Sequence, residues 1–188
     1  KPTFGYVHFV PWGVAKVAYS RESATLNAKK VWVEKKPELS LDTHAYHVGN
    51  TPFTVRGGAS YGRWYEGHIK GTHAKYYGEV SHDPVHVGSN TDIRVYGGYQ
   101  RDYYGYDSSV RSMPYWGVGT TTNVGPRVKA WVGYRQSNVS ISADSPYPFD
   151  QIDVKYNLYY GLSVQATRLD RFSVQMQRDM QTHELRYV

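Results

Sequence analysis

The chain contains no cysteine, which excludes a disulfide framework and thiolate metal sites. It has no run of about 18 apolar residues, which excludes a transmembrane helix. No helical 3.6-residue periodicity, heptad or repeat of about 30–45 residues is present, so neither a bundle nor a solenoid is expected. Apolar residues make up only 40% of the chain, below the range of about 45–50% usual for globular domains, and the mean hydropathy is −0.62. Neither a G-x-S-x-G elbow nor a P-loop occurs. There is no initiator Met and no signal-peptide pattern, and both ends (Lys1-Pro2-Thr3-Phe4 and Arg186-Tyr187-Val188) read as cut, so this is expected to be a piece of a longer polypeptide.

Aromatics and glycine are abundant instead. Nineteen tyrosines, five tryptophans and five phenylalanines bring the aromatic fraction to 15%, and there are 18 glycines. A barrel in a membrane accounts for low apolar content with many aromatics, because its lumen is polar, its outside apolar and its interfaces ringed by aromatic girdles. The net charge is +6 with a pI near 9.3. The Lys and Arg residues are scattered along the chain and not bunched into a tail or helix, so no nucleic-acid partner is expected.

The stretch from Asp150 to Asp179 carries the clearest pattern. From Ile152 the even positions are Ile152, Val154, Tyr156, Leu158, Tyr160, Leu162, Val164 and Ala166, alternating with mostly polar or small residues. Period two is the mark of a strand with one apolar and one wet face. After a connection near Thr167 to Asp170, Phe172, Val174 and Met176 alternate with Arg171, Ser173, Gln175 and Gln177, which predicts a long hairpin. Fifteen residues at about 3.3 Å each span roughly 50 Å, or roughly 35 Å when tilted by about 45°, enough for an apolar core of about 30 Å. The same alternation recurs along the chain. Phe53, Val55, Gly57, Ala59 and Tyr61 oppose Thr54, Arg56, Gly58 and Ser60. Ile93, Val95, Gly97 and Tyr99 oppose Arg94, Tyr96 and Gly98. Val128, Ala130, Val132 and Tyr134 oppose Arg127, Lys129, Trp131 and Arg135. Ser20 to Lys30 reads as a polar loop or short strand, and Lys35-Lys36-Pro37 as a rim or edge.

About eleven to thirteen strands are expected. The fold class is all-β: an antiparallel up-and-down transmembrane β-barrel, a partial one cut from a longer chain, with residues 1–188 as a single domain. Ile152, Val154, Tyr156, Leu158, Tyr160, Leu162 and Val164 are expected to face lipid. Arg56, Arg94, Lys129, Arg135 and Lys155 would line the lumen. Trp64, Tyr65, Tyr103, Tyr104 and Trp116, near strand ends, are expected at the membrane interfaces.

The eight histidines point to no metal centre. His44 and His47, and likewise His68 and His73, are an odd number of residues apart, which on a strand turns the rings to opposite faces. His82 and His86 share a face only if Pro84 leaves the strand intact. Asp150 and Asp153 diverge in the same way. No cofactor and no catalytic constellation is expected.

Several phrases together resemble a known family. They are Thr51-Pro52-Phe53-Thr54-Val55-Arg56-Gly57, Gly98-Tyr99-Gln100-Arg101-Asp102-Tyr103-Tyr104-Gly105, Ser112-Met113-Pro114-Tyr115-Trp116-Gly117, Phe149-Asp150-Gln151-Ile152-Asp153-Val154 and Arg168-Leu169-Asp170-Arg171-Phe172-Ser173-Val174. From about Phe4 to Val188 the chain resembles the barrel of the LPS-assembly protein LptD (organic solvent tolerance protein, OstA), in its diderm-Firmicute form. The resemblance implies a protein of the cell outer membrane that inserts lipopolysaccharide into the outer leaflet without covalent catalysis. Its implied partners are lipopolysaccharide, outer-membrane lipids, periplasmic bridge proteins and a plug lipoprotein. The sugar head would pass through a polar lumen whose cations attract phosphate, and the acyl chains would leave between loosely paired strands. This chain lacks the family's periplasmic lipid-binding domain and the cysteines that tie it to the barrel in proteobacterial members. The residues leave other readings open: a general outer-membrane porin, a soluble all-β carbohydrate-binding module, or an outer-membrane enzyme.

Overall fold

In a computed structural model, residues 3–26, 29–138, 140–141, 145–148, 155–168, 170–181 and 185–187 are described. The strands are β1 (Thr3–Val10), β2 (Gly13–Leu26), β3 (Lys29–Thr43), β4 (Tyr46–His47), β5 (Phe53–Glu66), β6 (Ile69–His82), β7 (Val85–Val87), β8 (Thr91–Tyr104), β9 (Ser109–Gly125), β10 (Val128–Ser137), β11 (Ser140–Ile141), β12 (Tyr156–Gln165), β13 (Arg171–Asp179) and β14 (Leu185–Tyr187). They form one sheet in the order β1-β2-β3-β5-β6-β8-β9-β10-β12-β13-β14, with the short β4, β7 and β11 pairing β5, β8 and β9. Every pairing is antiparallel and each long strand lies beside its neighbour in the chain. The fold is thus an all-β up-and-down sheet. Among the described residues there is no helix, and β1 and β14 are its open edges.

Turn chemistry sets the hairpins. Gly67, at φ 59°, and His68 form the two-residue link between Glu66 and Ile69, which pair directly. A left-handed residue in such a link matches the twist of the flanking strands, and glycine adopts it without strain. Two local expectations change. Ser20 to Leu26 continues β2, paired to β3 as far as Leu26↔Lys29. Lys35-Lys36-Pro37 is neither rim nor edge but the site of a mid-strand register shift between Lys35 and Glu38. A bulge is where a strand accommodates a residue that lacks an N–H. The described strand of the last hairpin runs ten residues, Tyr156–Gln165; the part of the long pattern before Lys155 lies outside the described residues.

Cross-strand register assigns residues to faces, because directly paired residues project to the same side. One row runs Leu41↔Ala59↔Tyr76↔Arg101 and another Val95↔Val118↔Tyr134↔Leu158. This face is apolar and bare: Tyr6, Val17, Leu39, Tyr61, Val80, Val95, Trp116, Val132, Leu162, Phe172 and Val174 are all exposed on it. Tyrosines and a tryptophan form a band across it, with Tyr76 6.5 Å from Tyr99 and 6.2 Å from Tyr103, and Trp116 5.5 Å from Tyr134. Arg63, Lys70, Arg101 and Arg178 sit on the same face by register, all in the halves of their strands nearer the Gly67 end.

The opposite face is polar and the more buried of the two. Glu79, Ser81, Asp102, Arg111, Ser137 and Asp179 are buried there. Its aromatics lie over glycines directly across the ladder: Tyr77 over Gly58, Tyr96 over Gly117, Tyr115 over Gly98, Tyr159 over Gly133 and Trp131 over Gly161. A Cβ added at Gly133 would lie 2.2 Å from the Tyr159 ring, and one at Gly161 2.3 Å from Trp131. The glycines therefore make room for flat rings against the backbone, a device that also shields the exposed ladder.

The small apolar core also lies on this side. Val33, Trp64, Tyr104 and Tyr147 cluster with Ile69. Trp64 stacks on His73 at 3.9 Å, and Tyr147 meets Trp64 edge-on at 5.5 Å. Beside them His73 Nε2 lies 3.3 Å from Asp102 Oδ1, and the Arg111 guanidinium donates to Asp102 Oδ2 at 2.8 and 3.1 Å. Tyr147 arrives on the segment Ser145–Pro148, fastened by its N–H donating to Ser145 Oγ at 3.2 Å. Its ring is fully buried, its hydroxyl has no hydrogen-bond partner among the described residues, and burial pushes its pKa up to about 12.

Candidate functional site

The polar face holds a cavity of about 440 Å³ to which β5, β6, β8, β9, β10 and β12 all contribute. In a flat sheet β5 and β12 would stand about 24 Å apart, at about 4.8 Å per strand. Long side chains bridge that distance along the polar face: the Arg56 guanidinium reaches Glu79 on β6 and the Tyr159 hydroxyl reaches over Gly119 on β9.

Strand β9 is the floor. It presents Gly117, Gly119 and Thr121 between Tyr96, Arg94 and Asp92 of β8 on one side and Arg135, Gly133 and Trp131 of β10 on the other. With only hydrogen at Gly117 and Gly119, the Tyr96 and Tyr159 rings settle close to the floor, the Tyr159 hydroxyl lying 3.3 Å from where a Gly119 Cβ would be. The walls are Arg56, Arg94, Lys129 and Arg135 with Glu79, Asp92, Tyr96, Trp131 and Tyr159.

The charges are unevenly satisfied. Arg56 donates to Glu79 Oε1 from Nη2 at 2.8 Å and Nε at 3.0 Å, and the Tyr115 hydroxyl donates to Glu79 Oε2 at 3.2 Å. Asp92 contacts His86 Nδ1 at 2.6 Å. The two carboxylates are thus occupied. Among the described residues Arg94 donates only to the neutral Ser81 Oγ, at 3.1 Å. Arg135 lies over the Tyr115 ring at 4.3 Å, and its buried Nε has no acceptor among the described residues. Lys129 makes no ion pair among the described residues. Three cations without carboxylate partners therefore face one concave space, where low-dielectric walls concentrate their field. Among the described residues no group of three or more His, Asp or Glu could hold a metal ion.

The structure brings Arg56, Arg94, Lys129 and Arg135 together around this cavity. Lys155 stands apart: it is exposed just before β12, where its carbonyl accepts from Ser137 N at 2.8 Å. Tyr156, Leu158, Tyr160, Leu162 and Val164 share the apolar face, opposite Gln136, Tyr134, Val132, Ala130 and Val128, whereas Ile152 and Val154 lie outside the described residues. The interface aromatics divide. Tyr103 and Trp116 are exposed on the apolar face, and Tyr65 is half-buried on it. Trp64 and Tyr104 need correction. They are 4% and 1% exposed and pack into the interior cluster, because their even positions put them on the Arg56 and Gln100 side of β5 and β8. The parity of their own strands carried that signal; nearness to a strand end does not. Cavity residues not singled out from sequence are Glu79, Asp92, Tyr96, Trp131 and Tyr159, whose role depends on which strands become neighbours.

Comparison with protein-family models, with curated proteins and with solved structures gives no match for this chain.

Proposed function

We propose that this chain is part of an outer-membrane β-barrel that inserts lipopolysaccharide into the outer leaflet, by non-covalent passage along the polar face. The observation that carries the membrane reading is the apolar face, exposed from Tyr6 on β1 to Val174 on β13. Soluble monomers rarely expose contiguous apolar patches beyond a few hundred Å², and here large apolar residues stay outside while Glu79, Asp102, Arg111 and Asp179 are buried. Hydrocarbon against that face relieves the inversion. Strands of ten to seventeen residues, such as β12 and β9, reach or exceed the roughly 9–11 residues a tilted transmembrane strand needs. The Tyr and Trp band fits the girdle of such a barrel. Closure of the sheet, through further strands or between β1 and β14, belongs to this proposal.

Lipopolysaccharide as cargo, with periplasmic bridge proteins and a plug lipoprotein as partners, rests on the resemblance of Thr51–Gly57, Gly98–Gly105 and Ser112–Gly117 to the LptD family. The basic cavity supports it, since a phosphorylated sugar head needs cations along its path.

Two adjacent-strand tryptophans test the membrane reading. Trp116 is on the apolar face and Trp131 lines the cavity. In vesicles containing bromine-labelled lipid, a variant retaining only Trp116 should be strongly quenched and one retaining only Trp131 little affected. Equal quenching, or none, overturns the reading. For the cargo, depleting the full-length protein should abolish surface display of lipopolysaccharide; unchanged display removes the transport role while leaving a porin possible.

A further inference from the structure

We infer that Arg94, Lys129 and Arg135 form a fixed binding site for a phosphorylated sugar, with Trp131 and Tyr159 as the surfaces on which its ring rests. The inference uses the proposed function only for the source of the ligand; the binding chemistry stands on the cavity alone.

Charge comes first. The cavity wall carries four cations, Arg56, Arg94, Lys129 and Arg135, and two carboxylates, Glu79 and Asp92, a formal balance of +2. The carboxylates are not spread evenly. Glu79 is held by Arg56 and Tyr115, and Asp92 by His86. Arg56 therefore belongs to an internal pair, and the site proper is the remaining three. An evenly basic lumen would ease the passage of any anion. A cluster with its nearest carboxylates already engaged holds one.

Satisfaction is the second argument. Arg135 Nε is buried and has no acceptor among the described residues. The guanidinium gains from the Tyr115 ring beneath it, but a ring face does not replace an in-plane acceptor for the N–H. A phosphate oxygen fits that geometry, since guanidinium presents its donors as a planar fork matched to phosphate. Arg94 keeps further donors beyond the one given to Ser81. Lys129 supplies a mobile point charge from β10.

Shape gives the rest of the ligand. A volume of about 440 Å³ exceeds what phosphate alone occupies and lies in the range of about 300–1,000 Å³ usual for small-molecule sites. Trp131 and Tyr159 sit on neighbouring strands, each flattened over a cross-strand glycine, Gly161 and Gly133. Flat aromatic faces of this kind suit the C–H side of a sugar ring, while Asp92, Tyr96 and Thr121 can hydrogen-bond its hydroxyls. Phosphate would set position and the rings orientation.

The test titrates the intact chain, in non-ionic detergent, with glucose 1-phosphate, glucose and inorganic phosphate by calorimetry. Glucose 1-phosphate should bind at least tenfold tighter than glucose, and more weakly as salt is raised. Arg94→Gln, Lys129→Gln and Arg135→Gln should each weaken it about tenfold, the scale of one charge-assisted hydrogen bond. Lys155→Gln, outside the cavity, should change nothing. Lys129 is exposed, so its variant remains informative if Arg135→Gln misfolds. Equal binding of glucose and glucose 1-phosphate, or a loss with Lys155→Gln as large as with the other three, overturns the site. A second arm compares a phosphorylated glycolipid in mixed micelles with its dephosphorylated form. Preference for the glycolipid over glucose 1-phosphate assigns the ligand to a lipid head, and parity assigns it to a free sugar phosphate; either supports the site. Failure of the tryptophan-quenching experiment would leave these titrations intact, so the two ideas fail separately.

Discussion

Val174 and Gln175 are neighbours on β13 that project to opposite faces. Val174 pairs with Leu162 on the apolar side and is 57% exposed, and Gln175 pairs with Gly161 on the polar side. Both sit near the middle of a nine-residue strand. Arginine at each separates lipid from water as the neighbour of the apolar face. If that face meets hydrocarbon, Val174→Arg costs about 2–4 kcal/mol near the midplane, roughly a 30- to 1,000-fold change in the folded-to-unfolded ratio. If it meets water, a surface substitution of this kind stays within about 0.5 kcal/mol. Lost β-propensity adds at most about 1 kcal/mol, so a loss above about 2 kcal/mol cannot come from propensity. Gln175→Arg places its charge on the wet face and should stay within about 0.5 kcal/mol in either case. The assay is reversible urea unfolding of the chain folded into lipid vesicles, followed by tryptophan fluorescence, with Val174→Thr as a β-branched polar control. Matching midpoints for Val174→Arg and Gln175→Arg would refute the assignment of the apolar face to lipid.

Other expectations follow from the polar face. Gly133→Ala puts a methyl 2.2 Å from the Tyr159 ring, overlap that should cost about 1–3 kcal/mol; in a Tyr159→Ala background the cost should vanish, and a penalty that persists there rules out the ring as its cause. Asp102→Ala takes the carboxylate from the buried Arg111 and should cost about 3–5 kcal/mol, with Arg111→Met in the same chain restoring much of it, as measured by denaturant midpoints. Tyr147→Ala empties the centre of the aromatic cluster and should cost about 3–5 kcal/mol. Tyr147→Phe removes only a buried hydroxyl without a partner among the described residues and should be neutral or stabilising by up to about 1 kcal/mol. The phenol's folded pKa is raised, so its contribution is intact below the unfolded value of about 10 and is lost as pH rises toward about 12. The advantage of Tyr147→Phe over the native chain should therefore widen across that interval; a constant difference contradicts the assignment.

Alternation by itself determined the strands and their two faces. Phe53 to Tyr61, Ile93 to Tyr99 and Val128 to Tyr134 separate into one apolar and one polar set from the sequence alone, because an unbulged pleated strand has a period of two. The up-and-down order was legible for a related reason: short turns such as Gly67-His68 leave adjacent strands no choice but to pair. Parity was also enough to place Trp64 and Tyr104 inside, and nearness to a strand end misled because a strand can carry aromatics on both faces.

Tertiary structure decided what lies across the ladder. That Arg56 is neutralised by Glu79, 23 residues on, and that Arg94 and Arg135 share one cavity with Lys129, follows from strand order and register. Neither is encoded by any local stretch. The pairing of each interior aromatic with a glycine on another strand likewise exists only once the register is set. Residues 145–148 carry no strand alternation, yet Tyr147 packs among Val33, Trp64 and Tyr104, brought from three separate strands. Local pattern fixes which way a side chain points, and only the assembled sheet fixes what it meets.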